Sequence, residues 1–430
     1  ERLSVWSEHE KPNKMQWILD RFKNFGSKTA CIEAGQCWSY LDLVAAIDAA
    51  KSELGPERII PIQTASTLEG LAQLLAIAES KHIALPLPPE VPVEEQAYRR
   101  AVAASSPLYQ QLPGSGLILF SSGTSGQPKG MLHDLPALLN RFKQVTPRND
   151  RTLQLLLIDH IGGLDAAFRC LCAGATLVIP AARTPDAAGR SIQAQQVNIL
   201  PASPTFLNLM LMNGVPEQYD CSSVEIIAYG AEAMPQTLLN RISQAFPAAD
   251  LQQKFGTSET GAVRIESSSR DSLYFRIKDS DTEWKVIDDE LWLKTPSRIV
   301  GYINAAADSL EADGWYRTGD LVEAGPDGSL RIMGRQSATI NIGGQKVHPA
   351  EVAALLHELD GVDDCRVYGA PDPITGQRVA CEIVSSTERD LRSWKRAIRN
   401  HCRGKLAPWK IPASVKISNA LSVNARMKRS

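Results

Sequence analysis

No stretch of this chain stays apolar for the roughly 18 residues that a bilayer-spanning helix needs, so no such span is expected. Charge of one sign is lacking too. The 46 Lys and Arg residues against 48 Asp and Glu leave a net charge of −2. No basic field therefore advertises nucleic acid or an anionic membrane surface. Any anionic ligand has to be held by local groups. The eight cysteines, at 31, 37, 170, 172, 221, 365, 381 and 402, include no C-x-x-C pair. Zinc and thioredoxin-type sites thus have no basis, and free thiols in a reducing compartment are expected. Internal repeats and low-complexity tracts are absent as well. The opening Glu1-Arg2-Leu3-Ser4-Val5-Trp6-Ser7-Glu8 is too acidic and polar to read as a secretory signal. The cytoplasm is the expected location.

What is present is an ordinary globular composition, 43% apolar and 22% charged, over 430 residues. That length exceeds what a single core supports, so two or more domains are expected. Tyr40 to Ala50 and Thr67 to Ser80 carry helical spacing; Arg58 to Ile62 and His82 to Leu87 read as strands. The alternation predicts a sheet with parallel strands covered by helices. Further strands are expected at Leu117 to Phe120, Leu153 to Ile158, Thr176 to Ile179, Asn198 to Leu200 and Glu225 to Tyr229. From Glu290 onward the texture turns β-rich, with Asp313-Gly314 and Asp327-Gly328 as turn signals. After Arg335 a helix (Pro349 to Leu359), two strands and a basic helix (Arg389 to His401) suggest a compact α+β unit.

One segment points to chemistry. Ser121-Ser122-Gly123-Thr124-Ser125-Gly126-Gln127-Pro128-Lys129-Gly130 follows an apolar strand directly. Its hydroxyls and close-set glycines can wrap N–H and O–H donors around phosphate oxygens, with Lys129 adding a point charge. It is not the G-x-x-x-x-G-K-[ST] loop, because the lysine follows a proline and no hydroxyl residue comes after it. A flexible linker of this composition seldom sits behind a buried strand.

This decapeptide resembles the signature of the adenylate-forming superfamily, which takes in acyl-CoA synthetases, adenylation domains and luciferases. Further motifs of that superfamily follow in order. Tyr229-Gly230-Ala231-Glu232 resembles the segment bordering adenine and the acyl pocket. Phe255-Gly256-Thr257-Ser258-Glu259-Thr260 resembles the aromatic-G-x-T-E motif. By that resemblance Phe255 lies against adenine, Ser258 reaches the α-phosphate, and Glu259 holds Mg²⁺, a hard cation that takes carboxylate oxygens. Gly314-Trp315-Tyr316-Arg317-Thr318-Gly319-Asp320 matches G-W-[FY]-x-T-G-D, in which Asp320 accepts both ribose hydroxyls. Arg335 also reaches the ribose and opens the hinge; Ser337 stands where Asp or Lys is usual. Gly343-Gly344 suits a thin passage for a pantetheine arm. Lys428 takes the place of the lysine that bridges carboxylate and α-phosphate, with Met427 where glycine is usual. His160, in an H-x-x-G-like segment, is expected at the mouth of the acyl site.

The resemblance implies an α/β fold. It has a large N-terminal domain (1–334) of packed mixed sheets with helices and a β-rich subdomain, then a small mobile α+β C-terminal domain (335–430) hinged near 335–337. It implies ATP, Mg²⁺ and CoA, or a carrier protein's phosphopantetheine, and a small carboxylic acid as substrate. The acid-facing segments near 160–168, 203–208, 228–233 and 260–264 are rich in Gly, Ala, Leu and Phe, which favours an apolar or aromatic acid. An amino-acid activator would use an early Asp for the ammonium group, and Asp159 is present. For a carrier protein, Lys395, Arg396, Arg399, Arg403 and Lys405 form a candidate patch, against the plainer reading of a solvated helix face. A non-catalytic ligand-binding relative is the alternative from a different class.

Overall fold

A computed structural model describes residues 15–63, 66–121, 127–306 and 308–421. The chain divides into two compact units, Glu1–Ala181 with Ser297–Ala307, and Ala182–Pro296 with Asp308–Ser430.

The first unit holds two sheets. In one, Thr29–Glu33 pairs antiparallel with Gln36–Ser39 and parallel with Thr176–Ile179, which also pairs parallel with Arg151–Leu153. In the other, Ile59–Ile62, Ile83–Pro86 and Gly116–Phe120 run parallel. Gly130–Asp134 and Gly301–Tyr302 complete that sheet antiparallel. The local chemistry explains the helices between them. Ser39 Oγ accepts the Asp42 N–H and the Asp42 carboxylate accepts the Ser39 N–H, a capping box that starts helix Tyr40–Ser52. Thr67 caps helix Leu68–Ala78 through the Gly70 N–H.

One expected strand is shorter than its apolar run. Pairing stops at Leu153, and Leu155, Leu157 and Ile158 are buried without joining a ladder. The Gln154 N–H still donates to the Val178 carbonyl, and its Nε2 donates to the Leu156 and Gly163 carbonyls, so a side chain helps tie down the stretch beyond the ladder. Burial, not strand pairing, accounts for the apolar run.

His133, in strand Gly130–Asp134, is 1% exposed, and neither ring nitrogen finds a hydrogen-bond partner among the described residues. Burial pushes its imidazole down to about 4. With the folded value below the ordinary 6.5, the stability tied to this group is present above pH 6.5 and lost as pH falls through about 4. The loss amounts to about 3 kcal/mol when complete. His133→Leu is therefore expected to flatten the acid limb of the stability profile. Urea midpoints at pH 7 and pH 4.5 would show it; equal acid sensitivity in both proteins would refute the assignment.

The described residues of the second unit hold three sets of paired strands. Ile199–Ala202, Ile226–Gly230 and Asp250–Thr257 pair parallel, and Gly261–Val263 turns back antiparallel on the last. An antiparallel six-stranded sheet runs Ile265–Ser267, Tyr274–Ile277, Leu330–Arg335, Tyr316–Ala324, Glu290–Lys294 and Glu283–Ile287. Gly314 and Gly328 have φ of +96° and +76°, as the two turn signals require. After the short turn Gln336–Ala338, a third sheet centres on Gly376–Val384, paired antiparallel with Asp364–Asp372 and parallel with Ser414–Ser418. Helices Pro349–Leu356 and Leu391–Cys402 bury Val352, Leu356, Trp394 and Ile398 in a shared core with its strands. Among the described residues no helix is long and apolar enough to cross a membrane.

Candidate functional site

In the first unit, the apolar strand Gly116–Phe120 delivers the chain to Ser121. The Ser121 N–H donates to the Lys129 carbonyl (2.9 Å), and the Lys129 N–H donates back to Ser121 Oγ (3.0 Å). These reciprocal bonds join the two ends of the segment between Ser121 and Lys129. Ser122, Gly123, Thr124, Ser125 and Gly126 lie outside the described residues. Lys129 is exposed, with its ammonium 5.7 Å from the Tyr302 ring centroid.

His160 caps helix Ile161–Cys172, its Nδ1 accepting the Gly162 N–H at 3.1 Å. An accepting Nδ1 carries no proton, so the neutral ring is the Nε2–H tautomer and presents a donor. Asp159 beside it is 2% exposed and ion-paired with Arg99, itself 3% exposed (Nη1 to Oδ2, 3.3 Å). Arg99 also binds Glu95 and lies over the Phe120 ring, 5.2 Å from its centroid. The carboxylate that an ammonium group would need is thus already engaged by a guanidinium.

In the second unit, Asp250–Thr257 and Gly261–Val263 bracket the turn carrying Ser258 and Glu259. Thr257 is 3% exposed, and its Oγ1 accepts the N–H groups of Glu259 and Thr260. The Thr257 hydroxyl is engaged in building the turn; Ser258 and Glu259 are the half-exposed members. Gly256 is required sterically, since a Cβ there would lie 2.4 Å from the Gly261 carbonyl oxygen. The Phe255 ring stacks on Phe275 (5.8 Å, 25°) within an apolar core that includes Leu291 and Val322. The periodicity of strand 250–257 sets that burial, so Phe255 is first a core residue.

Ala231 follows the end of strand Ile226–Gly230 with φ +70°, a left-handed conformation uncommon for a residue with a side chain. Glu232 Oε2 accepts the Thr205 N–H at 3.2 Å, at the start of helix Pro204–Met212. Such strain needs surrounding structure to hold it.

Asp320, 7% exposed on strand Tyr316–Ala324, is gripped by Arg335 on the adjacent strand (Nε to Oδ1, 2.8 Å). Burial raises its carboxyl to about 6; Arg335 opposes this, and the charges of Glu259 and Glu290 add to it. The turn before it is held from several sides. Arg335 Nη1 donates to the Thr318 carbonyl, the Asp320 N–H donates to Thr318 Oγ1, and the Gly319 N–H donates to Glu290 Oε1 at 2.9 Å. Glu290 is 5% exposed and also pairs with Arg317. Gly343 and Gly344 have φ of +55° and +91° and form the exposed tip of the hairpin between Ile340–Ile342 and Gln345–Val347. Lys428 lies outside the described residues.

Residues 116–303 match the family model described as AMP-binding enzyme, and residues 351–428 match the AMP-binding enzyme C-terminal domain. The chain belongs to the AMP-binding enzyme family. Within that family it is 30% identical to the 3-[(3aS,4S,7aS)-7a-methyl-1,5-dioxo-octahydro-1H-inden-4-yl]propanoyl:CoA ligase of Mycobacterium tuberculosis. That match covers 72% of this chain and 64% of the relative, so the chain spans under two thirds of it. It is 26% identical to the indoleacetate–CoA ligase of Aromatoleum aromaticum, over 79% of this chain and 71% of the relative. The solved o-succinylbenzoate CoA synthetase of Bacillus subtilis superposes with a TM-score of 0.75, covering 97% of both chains at 21% identity. The fold is that of adenylate-forming AMP-binding enzymes, with a large N-terminal and a smaller C-terminal domain.

Sequence reasoning located the family's motifs but missed their supports. Arg99, Glu290 and Asn304 act on motif residues 60, 29 and 174 positions away. No local pattern marks them, because burial is not legible in the sequence.

Proposed function

We propose that this AMP-binding enzyme activates a carboxylic acid with ATP and then transfers the acyl group to a thiol, that of CoA. The observation that carries this reading is the buried Asp320 carboxylate, held by Arg335 at 2.8 Å in the G-W-Y-R-T-G-D segment. A carboxylate can accept both hydroxyls of a vicinal diol, the group ATP presents on its ribose.

In the first half-reaction a carboxylate oxygen attacks the α-phosphorus and the bond to pyrophosphate breaks, leaving an acyl-adenylate. Nucleotidyl transfer asks mainly for positioning and charge neutralisation. Lys129, with the hydroxyl and glycine residues 121–126, holds the β- and γ-phosphates; Ser258 lies at the α-phosphate. The half-exposed carboxylate of Glu259 would hold Mg²⁺, a hard cation that would neutralise phosphate charge when bound. The Nε2–H of His160 is a donor for the incoming carboxylate. Lys428 bridges the carboxylate and the α-phosphate. In the second half-reaction the thiol attacks the acyl carbon and AMP leaves, with Gly343-Gly344 bordering the pantetheine arm after the segment beyond Arg335 rotates.

The relatives' named acids, among them 2-succinylbenzoate and indoleacetate, support an aryl or acyl acid. The Arg99–Asp159 pair supports an acid without an ammonium group. CoA is favoured as acceptor over a carrier protein because the relatives are named as CoA ligases. A cytoplasmic location is compatible with those co-substrates. Pyrophosphate release from Mg·ATP, measured against aryl, acyl and amino acids with and without CoA, tests all of this. Turnover with an aryl or acyl acid that rises on adding CoA is expected. Turnover confined to amino acids, or none with any acid, would overturn the reading.

A further inference from the structure

Four backbone polar groups surround Lys129: the Pro128 carbonyl, the Lys129 N–H and carbonyl, and the Gly130 N–H. Ser121 takes the middle two. The outer two go to one side chain from far along the chain. Asn304 Oδ1 accepts the Gly130 N–H at 2.8 Å, and Asn304 Nδ2 donates to the Pro128 carbonyl at 2.9 Å. A single amide thus pairs with the peptide groups on both sides of Lys129, as a neighbouring strand would.

Asn304 is itself set in place. Strand Gly301–Tyr302 pairs with Gly130–Asp134, and the Ile303 N–H donates to the Gly130 carbonyl at 2.9 Å. Its Nδ2 also contacts the Tyr98 hydroxyl at 3.0 Å. The same segment supplies Tyr302, whose ring lies under the Lys129 ammonium. Residues 301–304 therefore hold Lys129 at both ends, by its backbone through Asn304 and by its side chain through Tyr302.

We propose that Asn304 is a positioning residue for the phosphate-binding lysine, fixing the backbone from which Lys129 reaches the β- and γ-phosphates. This rests on the function proposed above. A lysine on a loop loses rotational freedom when it engages a phosphate, and fixing its two flanking peptides removes part of that loss beforehand. Asn304 touches no substrate; it acts through Lys129.

The test compares nucleotides that do and do not reach the loop. Mg·ATP and AMP affinities are measured for the full chain and for Asn304→Ala, Asn304→Asp, Lys129→Ala and the Asn304→Ala/Lys129→Ala pair. Asn304→Ala is expected to weaken ATP about tenfold, the size of one lost hydrogen-bonding contribution, and to leave AMP within about twofold. Asn304→Asp keeps the acceptor for Gly130 but sets a carboxylate oxygen against the Pro128 carbonyl and adds negative charge beside the loop, so a loss at least as large as that of Asn304→Ala is expected. The double variant should be no weaker than Lys129→Ala alone, since both changes remove the same contact. Equal losses for ATP and AMP, or losses that add in the double variant, would overturn the assignment and leave Asn304 a structural residue. If Lys129→Ala itself left ATP affinity intact, the phosphate role of the loop would fall, and this assignment with it.

Discussion

Asp320→Asn is expected to weaken ATP binding by about 10- to 100-fold and, in the same molecule, to raise stability at pH 8. The binding loss follows from chemistry: the amide offers one acceptor oxygen and a donor where the carboxylate offers two charged acceptors. The stability gain follows from the raised carboxyl value of about 6, set first by burial. A group raised above its ordinary 3.8 contributes stability fully below pH 3.8, and that contribution is lost as pH rises through about 6. At pH 8 the ionised, buried Asp320 thus weakens the fold by about 3 kcal/mol relative to a neutral group. Arg335 only partly offsets this, its side chain being 51% exposed. Calorimetric ATP titration and thermal unfolding at pH 5 and pH 8 would read both effects. The wild type should gain on the variant as pH falls, and its ATP affinity should decline below about pH 6 towards that of the variant. An Asn variant that binds ATP normally, or that melts earlier at pH 8, would refute the ribose assignment or the burial argument respectively. This sign is opposite to that of His133 over nearly the same pH window, so the two variants tilt one stability profile in opposite directions.

Gly163→Ala is expected to be the most damaging single-methyl change near the candidate site. A Cβ at Gly163 would lie 2.0 Å from the Leu157 carbonyl oxygen and 2.8 Å from that of Leu156. Both are backbone atoms, and the Leu157 carbonyl also accepts the His160 N–H at 3.2 Å. Relief requires moving the turn that holds His160, or the start of helix Ile161–Cys172. A destabilisation of about 3 kcal/mol or more is expected, at the upper end of overpacking costs. Activity should fall further than stability predicts, because His160 moves with the turn. Denaturant unfolding of Gly163→Ala beside Gly162→Ala checks it. At Gly162 the nearest neighbour, His160 Nδ1, is 3.4 Å away, so the control should be mild. Equal effects at the two positions would refute the close-approach argument.

The sequence by itself determined what is local. Capping residues such as Ser39 and Thr67, the Gly314 and Gly328 turns, and the order of the nucleotide motifs depend on neighbours within a few positions. Their chemistry is complete in a short window. Helix starts, turn types and the family were accordingly legible from the chain alone. What only the tertiary structure decided is which polar side chains hold those motifs in shape. Asn304 meets the loop from 174 residues away, and Arg99 engages Asp159 across 60. Thr257 and Phe255, legible as motif members, are built into the turn and the core by strand pairing. Leu155 to Ile158 read as a strand because hydrophobicity reports burial and says nothing about hydrogen-bond partners. The physical reason is the same throughout. A backbone turn is specified by nearby residues, whereas a buried charge or amide is satisfied only by whichever distant group the folded chain brings within about 3 Å.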